Sequence, residues 1–267
     1  MKFNKWFLGL AVLGLVFASC EDDTDPVGPT ITFKAGAGLT TGDATVDAGD
    51  TVHFSWEVVK GDANLEEFTI REGNEDIDGF PTSDIDNDQY EASLSYIVGS
   101  AGTYVLSFIA TDKDGLEAKV DITITCLAPL ESLGAKQLGA GGSSLGSYYS
   151  VSTNLVYNLA DAKTNASKID IIFTSTASAA TFKSPKDASA TEISSTGRTT
   201  TFQKVDLDFE TAGASEIEAI NPTADNITVE LNDVVVFKTH DNEKGIFLVD
   251  QLTVSADGSV TIDIKVK

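Results

Sequence analysis

The sequence predicts an all-β protein made of two antiparallel β-sandwich domains. Apolar and polar residues alternate with a period of two in many short segments, which is the pattern of strands with one buried face. Asp-Gly pairs, which are typical of tight hairpin turns, precede some of these segments. Near residues 128–129 the composition changes abruptly to Gly, Ala, Ser and Leu, and this change divides the strand-rich sequence into two halves. A chain of 267 residues is long enough for two such domains.

The first 19 residues have the composition of an export signal. Lys2 and Lys5 form a positive head, and an uncharged apolar run covers residues 7–17. This run is shorter than the ~20 apolar residues that a transmembrane helix needs. A positive head followed by a short apolar core is typical of a signal peptide, which is not part of the mature fold. We therefore predict a signal peptide over residues 1–19.

Cys20 follows this segment directly. The stretch from Phe17 to Cys20 resembles the bacterial lipobox, with Phe17 where that motif usually has Leu. The resemblance implies that Cys20 is acylated and becomes the first residue of the mature chain, which would hold the protein on a membrane. An ordinary secretory signal cut before Cys20 is the alternative, and it would leave a free thiol. The acids at 21–23 resemble the surface-export signal of Bacteroidetes-type lipoproteins, which implies an outer-membrane protein facing the cell exterior.

The charge of the chain argues against a nucleic-acid partner, and its cysteine content argues against an intrachain disulfide. The net charge of −23, with no basic cluster, repels nucleic acid and anionic lipid headgroups, so we expect no nucleic-acid partner. Residues 20–29 have the polar, Pro- and Gly-containing composition of a tether. Acylation of Cys20 would leave Cys126 without a cysteine partner. Cys126 ends an alternating segment, and we predict that it is a small buried hydrophobe.

Residues 30–127 are predicted to form the first sandwich. In the segment TVHFSWEVV, Phe54 and Trp56 share the apolar face of a strand and His53 lies on the polar face. The segments TYVLSFIATD and AKVDITIT repeat this alternation. The turn DKDG at 112–115 joins them as a hairpin.

These segments resemble a PKD-type or bacterial Ig-like domain, over about residues 30–127. The resemblance rests on TVHFSWEV, on AGTYVLSFIATDKDG and on the alternating last strand. It implies an Ig-like sandwich in which Tyr104 forms a tyrosine corner. VVKGDANL stands where the PKD family has Gly-Asp-Gly after the Trp strand, so the sequence favours the broader Ig-like class.

We predict that residues 128–147 are a Gly-rich linker and that residues 148–267 form the second sandwich. The segments KIDIIFT, ITVELNDVVVFKT, GIFLVDQLTV and GSVTIDIKVK are strand-like, and ASEIEAINP is predicted to be a short helix that ends before Pro222. The stretch LGSYYSVSTNLVYNLADAKTNASKIDIIF and the closing segment are similar to a C-terminal domain of Bacteroidetes lipoproteins of unknown function. That resemblance implies no catalytic or binding residues.

The sequence gives no support for an enzyme. GSSLG at 142–146 matches G-x-S-x-G, but a nucleophile elbow needs a helix after the serine, and here a strand is predicted. His53 and His240 have no second ligand at metal-binding spacing. Carboxylate pairs are numerous, yet no spacing singles out a glycosidase pair.

A calcium site is the one metal hypothesis. Asp84, Asp86 and Asp88 stand at alternate positions, and oxygen-rich loops of this kind bind Ca²⁺. Gln89 and Ser95 occupy the positions that an EF-hand reserves for Gly and Glu, so the loop is not an EF-hand. The alternative is an acidic, solvated loop. Apart from this hypothesis, the sequence predicts no cofactor.

Three classes of function remain open: a surface protein that binds glycans, an adhesion or structural stalk that binds protein partners, and an unusual hydrolase. Sugar-binding surfaces usually need exposed aromatic rings. Trp56 lies on a predicted core face, so Tyr148, Tyr149 and Tyr157 are the candidate ligand-binding residues, with packing at the domain junction as the alternative. We predict a non-enzymatic surface protein that binds an extracellular glycan or surface protein through its C-terminal domain, with glycan ahead.

Overall fold

The computed structural model describes residues 25–83, 85–141, 143–189, 193 and 197–267. The predicted signal peptide, Cys20, the acids at 21–23 and Asp84 lie outside the described residues. The all-β prediction is confirmed, because the described chain forms two β-sandwiches with two short α-helices. Within the described residues, no helix is both long and apolar enough to span a membrane.

The first domain is an Ig-like sandwich of two sheets. One sheet has the strand order β1-β3-β6 and the other has the order β2-β8-β7-β4-β5. β2 pairs with β8 in parallel, and the other strand pairs are antiparallel. The strands are β1 (Thr30–Phe33), β2 (Ala44–Asp47), β3 (Thr51–Val59), β4 (Leu65–Glu72), β5 (Glu75–Asp76), β6 (Gln89–Ile97), β7 (Gly102–Asp112) and β8 (Glu117–Leu127).

Alternation in β3 builds the core of this domain. Phe54 and Trp56 are fully buried, and Trp56 stacks on Phe68 of the opposite sheet with a ring-centroid distance of 5.3 Å. His53 is exposed on the other face of the strand. Cys126 is buried at the end of β8, as predicted. The period of two therefore identified both faces of these strands correctly.

Two local predictions in this domain are also confirmed. The turn between β7 and β8 is closed by Asp112, whose Oδ1 accepts hydrogen bonds from the backbone N–H groups of Asp114 and Leu116 at 3.0 and 2.9 Å. The Tyr104 hydroxyl donates to the carbonyl oxygen of Ser100 at 2.7 Å, which is the bond of a tyrosine corner.

The second domain is also a sandwich. Its sheets have the orders β11-β10-β12-β13-β15 and β14-β16-β17-β18-β9, and an apolar core lies between them. The elements are β9 (Glu131–Gly139), β10 (Tyr148–Ser150), β11 (Leu155–Tyr157), α1 (Leu159–Thr164), β12 (Ile171–Ser175), β13 (Ala180–Lys183), β14 (Thr201–Val205), α2 (Ala214–Ala219), β15 (Asn226–Val229), β16 (Val234–Lys238), β17 (Lys244–Thr253) and β18 (Ser259–Val266).

The predicted linker over residues 128–147 is corrected by the structure. Residues 131–139 form β9, which pairs antiparallel with β18 at the edge of a sheet. Gly134 has a φ of +70°, and the register shifts beside it, so a glycine is needed where the strand bulges. Only residues 128–130 connect β8 to β9.

The two domains also touch away from this connection. The Asp47 carboxylate at the end of β2 accepts a hydrogen bond from the backbone N–H of Ser215, at 3.0 Å to Oδ1, and one from the Ser215 hydroxyl, at 2.6 Å to Oδ2. Ser215 lies in the first turn of α2, so a carboxylate of the first domain caps a helix of the second.

Candidate ligand-binding cleft

A cleft of about 420 Å³ opens beside the start of β10 in the second domain. One wall is the connection from β9 to β10, and the other is the start of α1. None of the described side chains that line it carries a charge. The lining residues are Gly141, Ser143, Leu145, Ser147, Tyr148, Asn158, Leu159 and Ala160.

Glycines allow the first wall to fold tightly. A Cβ atom at Gly139 would lie 2.3 Å from the Ser143 Oγ, and a Cβ atom at Gly146 would lie 2.3 Å from the Tyr157 carbonyl oxygen. Ser143 Oγ accepts the backbone N–H of Leu145 at 3.0 Å. The composition that suggested a linker therefore serves a compact turn at the rim of the cleft.

Asn158 sets the second wall. Its Oδ1 accepts the backbone N–H of Asp161 at 3.0 Å and its Nδ2 donates to the Asp161 carboxylate at 2.8 Å, which caps α1. Leu159 follows with 43% of its surface exposed at the mouth of the cleft. This wall thus offers an amide and an exposed apolar side chain next to each other.

The predicted tyrosines lie in three different environments. Tyr148 lines the cleft, but only 5% of its surface is exposed. Tyr157 pairs with it across β10 and β11, is half-buried, and places its hydroxyl 3.1 Å from the Thr153 hydroxyl. Tyr149 is fully buried between the sheets, where its hydroxyl donates to Asn154 Oδ1 at 2.9 Å and burial raises its pKa.

Of the two alternatives for Tyr149, ligand binding and packing, its full burial favours packing, in the core of the second domain rather than at the domain junction. β10 is covered on both faces, because the core between the sheets contains Tyr149, whereas Tyr148 packs with Ala162 and Ile169 beneath α1. A ligand in the cleft can reach Tyr148 only at its small exposed part.

The lining chemistry defines what the cleft can bind. Serine hydroxyls and the asparagine amide are both donors and acceptors, while Leu145, Leu159 and Tyr148 add apolar surface. Such a mixture fits an uncharged ligand with several hydroxyl groups. The net charge of −23 disfavours anionic ligands.

The calcium hypothesis is only partly covered by the described residues, since Asp84 lies outside them. Asp86 is exposed, and the Asp88 carboxylate pairs with the Lys60 ammonium. No cluster of three or more metal-binding side chains occurs among the residues that the structure describes. Calcium binding at this loop therefore stays a prediction.

The motifs weighed for catalysis lie on different elements: His53 is in β3, Ser144 lies between β9 and β10, and His240 follows β16. Gly142 is not described, and Ser144 lies in a turn that leads into β10 rather than into a helix. His53 and His240 are exposed, and the His53 ring bonds to the Ser95 hydroxyl at 2.9 Å.

Sequence analysis missed one buried ionic group in the second domain. Asp170 is 2% exposed, and its carboxylate accepts the Arg198 guanidinium at 2.6 Å and the Val151 N–H at 2.8 Å. Arg198 also binds the exposed Asp241 at 2.8 Å. Burial raises the pKa of Asp170, although Arg198 opposes this shift. Because both Asp170 oxygens already accept hydrogen bonds from the protein, we interpret the Asp170–Arg198 ion pair as a structural contact that holds the two sheets together.

No family model matches the chain, and no curated protein matches it. The partial likenesses to solved structures include the three that follow. The first is the PKD domain of an M14-like peptidase from a Thermoplasmatales archaeon, which is 20% identical in sequence and has a TM-score of 0.26. The match covers 38% of this chain and 94% of the PKD domain chain. The second is the SrpA adhesin from Streptococcus sanguinis, which is 14% identical in sequence and has a TM-score of 0.25. The match covers 62% of this chain and 90% of the adhesin chain.

The third likeness is to SGBP-B of the Bacteroides ovatus mixed-linkage glucan utilization locus, solved in complex with a mixed-linkage heptasaccharide. It is 10% identical in sequence and has a TM-score of 0.23, and the match covers 89% of this chain and 61% of the SGBP-B chain. The function of the cleft is therefore inferred from its own residues.

Proposed function

We propose that this protein is a non-enzymatic, lipid-anchored protein of the outer cell surface that binds a neutral glycan. The cleft at the start of β10 carries the proposal. It combines hydroxyl, amide and apolar lining with no charged side chain, on a protein whose net charge is −23. In so acidic a protein, an uncharged recess favours a neutral, hydroxyl-rich ligand over an ionic one.

The anchor is proposed from the sequence. Cys20 follows a signal-like segment and begins a short polar tether before β1. Acylation of Cys20 would keep the first domain nearest the membrane and present the second domain, with its cleft, to the exterior. We expect the native protein to incorporate radiolabelled palmitate and the Cys20→Ser variant to incorporate none. Equal labelling of the two would contradict the anchor.

A glycan array probed with residues 21–267 tests the binding function. The array is run with calcium and again with EDTA. A hit that survives EDTA supports the cleft, whereas a hit that disappears in EDTA directs attention to the loop with Asp86 and Asp88. A blank array on protein shown to be folded by circular dichroism would overturn glycan binding and favour the adhesion or stalk alternative.

A matched pair of variants locates the site. Leu159→Arg places a long cationic side chain at the mouth of the cleft, and we expect affinity for the array hit to fall by at least about tenfold. Leu155→Arg makes the same change at another exposed leucine, which does not line the cleft, and should bind normally. Calorimetric titration measures both. Normal binding by Leu159→Arg would place the glycan elsewhere.

A further inference from the structure

The outer edge of β6 is open. β6 is the last strand in the order β1-β3-β6, and all nine of its residues pair with β3 without a register shift. Within the described part of the chain, no strand pairs with its other side and no other backbone hydrogen bond reaches residues 89–97. The outward N–H and C=O groups of a nine-residue strand are therefore available to a new strand.

Such an edge normally carries features that prevent strand addition. Proline, lysine, a bulge or a very short strand usually serves this purpose. β6, with the sequence QYEASLSYI, has none of them. Its one charged residue, Glu91, is paired with the Lys34 ammonium at 2.7 Å. The edge strand is thus long and regular and carries one charged residue, while two further carboxylates lie against it: Glu57 of β3 is the register partner of Glu91, and the Glu72 carboxylate accepts the Tyr96 hydroxyl at 2.8 Å.

We propose that this edge pairs antiparallel with β6 of a second copy of the chain, with Ser93 of each copy at the two-fold axis. The sequence is nearly symmetric about Ser93. On the solvent face, Glu91 of one copy then faces Ser95 of the other, so no like charges meet. The three residues Glu91, Ser93 and Ser95 are all exposed in the monomer.

The inward face of the strand fits the same register. Tyr90 of one copy faces Tyr96 of the other, and Ala92 faces Leu94, which pairs a small side chain with a larger one. All four are only partly buried in the monomer, because the sandwich is open at this edge. Aromatic pairs across strands are favourable, so both faces support one register. The two three-stranded sheets would become one sheet of six strands.

A second copy is favoured over an unrelated peptide by this symmetry and by charge. Two molecules with a net charge of −23 repel each other over most of their surfaces, and β6, which has one charged residue in nine, is where they can approach. The dimer should therefore be stronger at high salt, where the general repulsion is screened. A strand pairing driven by opposite charges would show the reverse salt dependence.

Analytical ultracentrifugation of residues 21–267 over a range of concentrations tests the proposal. We expect a monomer–dimer equilibrium that shifts to dimer as salt increases. Ser93→Lys puts two ammonium groups face to face at the axis and should weaken the dimer by more than about tenfold. Ser55→Lys is the matched control, because Ser55 lies beside Ser93 on the same face but in β3, away from the edge. It changes the net charge equally and should leave dimerisation intact.

A charge-swap experiment tests the register. Ser93→Glu alone should also be monomeric, while a mixture of the Ser93→Lys and Ser93→Glu variants should recover a dimer that contains one of each. Native protein that stays monomeric at all concentrations and salts would overturn the proposal and leave the edge to an extended peptide of another protein. A dimer that survives Ser93→Lys, or a mixture that does not associate, would also overturn it.

Discussion

At Tyr104 a single hydroxyl ties β7 to the loop that precedes it. The hydroxyl donates to the Ser100 carbonyl at 2.7 Å and lies 3.0 Å from the Ser100 hydroxyl. Gly102, between them, has a φ of +157°, which is extended backbone that any residue can adopt. The contact is therefore maintained by the tyrosine rather than by a special glycine conformation.

Tyr104→Phe should lower the free energy of unfolding by about 1 kcal/mol, the typical net value of one such hydrogen bond. Urea denaturation followed by tryptophan fluorescence measures this, since Trp56 lies in the same core. Tyr90→Phe is the control. The Tyr90 hydroxyl makes no hydrogen bond within the described residues, so this variant should unfold like the native protein. An equal decrease in the free energy of unfolding in both variants would contradict a specific role for the tyrosine corner.

Single residues could be predicted where one face of a strand is buried and the other is wet. Phe54, Trp56 and Cys126 follow from the alternation alone. Tyr148 and Tyr149 do not, because adjacent residues of β10 point to opposite faces and both faces are covered, one by the other sheet and one by α1. Nothing in the local pattern indicates that a short helix lies over a strand, so the sequence leaves both an exposed and a packed ring open at these positions, and the structure shows packed rings.

The element α2 is held to its sheet by lysines. Lys244, which is 7% exposed, donates to the carbonyl oxygens of Glu218 and Ile220 at 2.6 and 2.9 Å and so satisfies acceptors at the end of the helix. Lys267 donates to the Glu218 carboxylate at 2.7 Å. This bond is the main cause that holds the pKa of Glu218 below its ordinary value.

The pH dependence of stability should show this ion pair. Because the pKa of Glu218 is lower in the folded than in the unfolded protein, its contribution is complete above the ordinary glutamate pKa and is lost as the pH falls through the folded value. Unfolding of the native protein and of Glu218→Gln, measured by urea from pH 7 down to pH 3, should therefore differ at neutral pH and converge in acid. The difference should stay below about 1 kcal/mol, since the pair is partly exposed. A constant difference across this range would contradict the assignment.

Elements could be predicted where the signal is local. β18 alternates strictly and α2 ends before a proline, and both lie where the sequence predicts them. β9 lies where the sequence predicts a linker, because its pairing partner is more than a hundred residues later and its glycines lower its strand propensity. α1 is a helix of only six residues. The main local sequence signal for its start is the Asn158 N-cap, and an N-cap alone is a weak indication of a helix.

At the scale of the whole molecule, α2 depends on the other domain. Its N-cap residue is Gly213, which has no side chain to accept a helix N–H. Asp47, 168 residues away in sequence from Ser215, supplies the carboxylate instead. A Cβ atom at Gly213 would lie 2.1 Å from Asp47 Oδ2, so glycine is required for the approach. No sequence pattern could reveal a cap that comes from a different domain.

Asp47→Ala should therefore loosen the relative orientation of the two domains while leaving each domain folded. Residues 128–130 would then be the main remaining restraint, and small-angle X-ray scattering should show a larger radius of gyration and a broader distribution of distances. Asp43→Ala is the matched control, because its carboxylate accepts the Thr123 N–H at 2.7 Å inside the first domain. It removes the same charge but should leave the scattering curve unchanged.

Gly213→Ala provides an independent test of the same contact. The added methyl group displaces the Asp47 carboxylate, so this variant should show the same increase in the radius of gyration as Asp47→Ala. The radius of gyration of the double variant should be no larger than that of either single variant, because both substitutions act on one interaction and their effects are not additive. Additive increases, or unchanged scattering in Asp47→Ala, would show that something other than this cap orients the domains.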